Sequence, residues 1–109
     1  MVSQLLAGWN DALRTAPIPN GATMYEVGIP AIDGAYGFPS RVTQGAFSQQ
    51  IQANWFAAAC RFVQSHKLRG IYFWGPDFWF NHGRLMSEPD ATVPFQLQPA
   101  AQTAIRACF

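Results

Sequence analysis

Residues 22–29 read ATMYEVGI and residues 71–74 read IYFW, and these two runs decide the fold. The first is β-type, built from Thr, Met, Tyr and Val with one glutamate inside it. A charge buried without a partner in a short apolar strand costs several kcal/mol. Glu26 is therefore expected at the strand's end, facing water or a polar site. The second run is apolar on both faces, as in a parallel-sheet strand covered on both sides. Gly75 and Pro76 end it.

Helical patterns surround both runs. Residues 3–15 carry Leu5, Leu6, Trp9 and Leu13 on one face, with Ser3 able to cap the start. Pro17, Pro19, Asn20 and Gly21 break this helix. Residues 44–66 form the clearest helix: Phe47, Ile51, Trp55, Ala58 and Phe62 recur at helical steps, and Ala57, Ala58 and Ala59 raise the propensity. Gly70, after Lys67 and Arg69, is a sensible stop with cations at the negative dipole end. Residues 97–108 read as a last helix, with Pro99 tolerated in its first turn. The segments 30–43 and 75–96 are long loops rich in Gly and Pro.

The order helix, strand, helix, strand, helix implies βαβ units with parallel strands. Both long loops follow strands. In α/β folds such loops build the site at the carboxyl ends of the strands. Glu26, Asp33, Trp74, Asp77 and Trp79 are thereby expected at one end of the sheet.

The 109 residues suffice for one domain, 1–109, with one core. Half are hydrophobic and 12% are charged, which predicts packed structure rather than disorder. Four Trp and nine Phe in so small a unit suggest apolar surface that a partner or a larger whole covers. The net charge is +1 and the seven Lys/Arg form no basic run, which argues against nucleic acid. No stretch approaches the ~20 apolar residues of a membrane span. The start, MVSQLLAGWNDALR, does not read as a signal peptide, and the compartment stays open. Cys60 and Cys108 lack metal-ligand spacing; they read as two buried thiols on helices or as a disulfide between neighbouring helices.

Three segments together resemble a known family. They are YEVGIPAIDGAYGFP (residues 25–39), the helix QANWFAAACRFVQ, and LRGIYFWGPDFW (residues 68–79). They look like the C-terminal part of glycoside hydrolase family 113, a clan A family of β-mannanase type. There a Glu-Val-Gly or Glu-Ile-Gly ends the seventh barrel strand, and a Gly-Ile-Tyr-Phe-Trp type run forms the eighth. The likeness covers roughly residues 5–80. It implies an α/β fold that is a partial (β/α)8 TIM barrel, namely its last two βα units.

By that resemblance Glu26 takes the place of the retaining nucleophile, and Trp74 floors the sugar subsite beside it. Retaining glycosidases need a second carboxyl about 5–5.5 Å away. The family's acid/base glutamate ends strand four, a segment this sequence lacks; the only other glutamate is Glu88. Asp77 is the in-chain candidate for a second carboxyl, with loop capping as its other role. Tyr36, Trp74 and Trp79, with Phe38, are candidate stacking residues for sugar. His82 is either a substrate contact or ordinary loop polarity. The expected function is glycoside-hydrolase-like, with activity dependent on missing parts. The alternative is a non-catalytic carbohydrate-binding or assembly module. Neither a metal nor a cofactor is implied. The expected partners are a β-linked carbohydrate, an N-terminal barrel portion, or further copies pairing at open sheet edges.

Overall fold

The computed structural model describes residues 1–74 and 86–109. Helix α1 spans Val2–Ala12, strand β1 Met24–Val27, a 3-10 turn Ala35–Gly37, helix α2 Gln49–Ser65, strand β2 Ile71–Phe73, and helix α3 Pro99–Arg106. The strands pair in parallel, and α2 is the crossover between them. No described helix is long and apolar enough to cross a membrane.

The central helix forms where its spacing predicts. Phe56, Ala59 and Phe62 are buried, and Phe56 meets Phe73 of β2 edge to face at 5.4 Å. Val27 of β1 and Ala101 of α3 complete the buried cluster. Paired alanines let α3 lie close on α2. On the other flank, Trp9 of α1 packs edge-on against Trp55 at 4.9 Å and Phe62 at 5.9 Å. Such contacts add about 1 kcal/mol each beyond the area they bury.

Both ends of α2 differ from the expected 44–66. Residues 46–48 pair with the chain after β1: Asp33 N–H donates to the Ala46 carbonyl at 2.9 Å and Ser48 N–H to the Ala31 carbonyl at 2.8 Å. The helix stops before Gly70. Lys67 takes the left-handed conformation (φ 52°), Leu68 N–H donates to the Val63 carbonyl at 3.0 Å, and Lys67 N–H to the Gln64 carbonyl at 3.3 Å. This is the paired bonding of a Schellman stop, here without its usual glycine. At the N-terminus Met1, not Ser3, is the cap position of α1.

The partial (β/α)8 TIM barrel is not the fold. Among the described residues there are three helices and a two-stranded sheet, with strands of four and three residues. Barrel strands are covered on both faces. Here only one face is. Tyr25 is 68% and Tyr72 57% exposed on the other, stacked on each other at 4.7 Å. The apolar look of IYFW thus reflects a tyrosine pair facing outward, not a doubly covered strand. The chain is a small α/β unit.

Two devices hold the connection into α3. Cys60 and Cys108 form a disulfide, with Cα atoms 5.6 Å apart, joining α2 to the end of α3. Of the two readings of these cysteines, the bonded one holds, because the helices lie side by side. The second device is a set of buried glutamines. Residues 86–98 form no ladder, so their backbone groups need other partners. Gln52, fully buried, donates through Nε2 to the carbonyls of Ile29 (3.0 Å), Pro94 (3.2 Å) and Gln96 (2.8 Å). Its Oε1 accepts from Gln98 N–H at 2.9 Å. Gln98 in turn donates to the Asp90 and Val93 carbonyls, and Gln102 to those of Met86 and Leu97.

Two stability effects follow. Replacing both cysteines by alanine removes a cross-link across 48 residues and should cost about 2–4 kcal/mol in urea denaturation. Gln52→Leu keeps the volume but strands several buried carbonyls. Its expected cost is about 3 kcal/mol, and a loss under about 1 kcal/mol would show that the amide is dispensable.

Candidate functional site: the Glu26 cleft

Glu26 is exposed, as the charge argument requires, yet it is the third residue of a four-residue strand rather than its end. The register explains how. Met24 pairs with Ile71 and Val27 with Phe73, so three steps along β1 match two along β2. One residue is extra. Glu26 has φ 55°, the left-handed region that side chains other than glycine's rarely enter. This is a bulge, and it inverts the face pattern locally. Strict alternation from Met24, which faces the core, would turn Glu26 inward and Val27 outward. With the bulge, Tyr25 and Glu26 are both exposed and Val27 is buried.

The carboxylate stands where two clefts meet. One, of about 470 Å³, runs along residues 24–28 with Trp9, Trp55 and Phe62 on its far side. The other, of about 260 Å³, lies between Glu26, Trp74 and Phe95. Gly28, Pro39 and Ser40 border both. Trp74 is 43% exposed and meets Phe95 edge to face at 5.4 Å. Its backbone is held by its N–H donating to the Val27 carbonyl at 2.8 Å. Gly28 is needed beneath it: a Cβ there would stand 2.9 Å from the Trp74 carbonyl oxygen and 3.0 Å from its ring. The glycine of the Glu-Val-Gly run therefore serves close approach, not a turn.

Other expected site residues are placed elsewhere or lie outside the description. Tyr36, in the 3-10 turn, lines neither cleft. Its ring stacks on Trp55 at 6.2 Å, and its hydroxyl accepts from Asn54 Nδ2 at 3.1 Å. Burial pushes that hydroxyl above the usual phenol value, partly offset by the Asn54 hydrogen bond. Asp33 is exposed in the turn before Gly34, which has φ 86°. Phe38 is 66% exposed. Asp77, Trp79 and His82 lie outside the described residues. Phe95 was missed. Only its aromatic type hints at a role, since what places it is the Gln52 amide gripping the carbonyls on either side of it.

Chemically, the two clefts hold one carboxylate among the described residues, flanked by a serine and by aromatic faces. Asp90 is committed to its own turn: its Oδ1 accepts from Thr92 N–H (2.9 Å) and hydroxyl (2.6 Å), bonds that hold its carboxyl below the usual range. Among the described residues no group of three or more His, Cys, Asp and Glu side chains could hold a metal ion. Such an arrangement can orient a hydroxyl-rich ligand. A double displacement would need a second carboxyl at the separation given above.

The strain at Glu26 has a measurable sign. Glu26→Gly should stabilise the chain by about 1 kcal/mol, because glycine takes the left-handed conformation without penalty. Glu26→Val should destabilise it by at least as much. If glycine proves the less stable of the two in urea denaturation, the bulge is not the source of strain.

No protein-family model, curated protein or solved structure matches the chain.

Proposed function

We propose that the chain is glycoside-hydrolase-like and binds a β-linked carbohydrate at the Glu26 cleft without hydrolysing it unaided. One observation carries this reading. A carboxylate is held out of the core by a strained bulge, and a half-exposed tryptophan stands across the same cleft. Strain in a short strand persists only where the surroundings over-determine it, and it clusters at ligand sites. An acceptor beside an aromatic face is what a sugar ring requires. The carboxylate takes hydroxyl hydrogens, and the face takes the ring's C–H side.

The resemblance to glycoside hydrolase family 113 supports the same reading, with Glu26 in the nucleophile's place and Trp74 as the subsite floor. Substrate hydrolysis would draw its acid from outside the described residues. Asp77 in this chain is one source and a further protein segment the other.

Titration calorimetry of the full chain with β-manno-oligosaccharides tests the proposal. Binding in the millimolar range is expected. Trp74→Ala should weaken it about five- to tenfold, the worth of one aromatic contact, and mannan hydrolysis should stay at background. Absence of binding at 10 mM (roughly 2.7 kcal/mol of affinity) would overturn it. Binding indifferent to Trp74→Ala would move the sugar elsewhere.

A further inference from the structure

The larger cleft has a shape that the carbohydrate reading leaves unused. It follows five consecutive residues, 24–28, along the side of β1 away from β2. Met24 N–H donates to the Gly70 carbonyl at 3.0 Å, so the backbone groups of Met24 face β2. Alternation then turns the N–H and carbonyl of Tyr25 to the opposite edge. Among the described residues no strand pairs there. Beyond the edge lie Trp9, Trp55 and Phe62, which form an apolar floor, while Glu26 adds one negative charge at the rim. An open edge of this kind is a template for another strand.

We infer that this groove docks an extended peptide strand that adds to the free edge of β1 and carries a basic residue opposite Glu26. Each element of the groove selects for that occupant. The Tyr25 amide and carbonyl ask for backbone partners, which a strand supplies and a helix does not. The floor asks for apolar side chains on one face of that strand, hence alternate positions. The lone carboxylate asks for a lysine or arginine near the groove's middle. The interaction does not depend on sugar binding, because it rests on the backbone of β1 and the α1 side of the sheet. The Trp74–Phe95 side is left open.

The test uses the full chain and synthetic peptides. The first probe is a capped seven-residue peptide alternating valine and threonine, with lysine at its centre. Calorimetric binding tighter than about 1 mM is expected. Exchanging the central lysine for glutamate should weaken it at least fivefold. Methylating the amides of alternate residues in one phase should weaken it at least tenfold, and methylating the opposite phase should change it under threefold, because only one phase faces β1. Equal effects of the two phases, or no binding, would overturn strand addition. A tight dimer seen by sedimentation before peptide is added, which peptide does not dissociate, would assign the groove to a second copy and overturn the proposed partner.

Discussion

The site depends on one extra residue in β1. Without it the period-two pleat would send Glu26 into the layer occupied by Val27, Phe56 and Phe73. A carboxylate there without a partner would destabilise the unit by several kcal/mol, a large fraction of what so small a domain possesses. The bulge exchanges that penalty for local backbone strain of about 1–3 kcal/mol at a single residue. It also leaves Val27 facing α2, so the core continues past the glutamate. The charge, the core contact and the cleft are consequences of the same backbone irregularity.

A second layer of support reaches the cleft from behind. Gln52 ties the Ile29 carbonyl, two residues past the end of β1, to the carbonyls flanking Phe95. One amide therefore sets the spacing between the floor of the cleft at Gly28 and its far wall. The disulfide acts on the other side of α2, fixing α3, whose Gln98 and Gln102 hold the same connection. Polar side chains do here what a third strand would do in a larger sheet, which is to satisfy the backbone of a segment that has no ladder of its own.

Much of the local structure was legible. The apolar spacing of Phe56, Ala59 and Phe62 announces α2, and Thr, Tyr and Val announce β1. The requirement that Glu26 avoid the core follows from charge alone. What was not legible is instructive. A bulge has no composition of its own when a glutamate rather than a glycine occupies it, and the same holds for Lys67 at the helix stop. The buried glutamines read as surface polarity, because their partners are backbone groups 23 to 46 residues away. The barrel failed for a different reason. An apolar run such as IYFW is compatible with a strand covered on both sides and with one that exposes its tyrosine, and periodicity over four residues does not separate them. Which face is covered is a tertiary fact.

The two ligands proposed for this surface meet at Glu26, and their meeting has an energetic consequence. A carboxylate in open water gives little net free energy to a sugar hydroxyl, because water competes for the same lone pairs. A strand laid along β1 would cover the Tyr25 edge and remove water from one side of the carboxylate. Its remaining hydrogen bonds would then act in a medium of lower effective dielectric, where each is stronger. A lysine from the same strand works in the opposite direction, by occupying one of the oxygens. Two groups that alter one another's hydration and bonding are linked, and the linkage is reciprocal: whatever the strand does to sugar affinity, the sugar does to strand affinity. The bulge that keeps Glu26 out of the core thus makes it the one side chain through which the two sides of the surface sense each other.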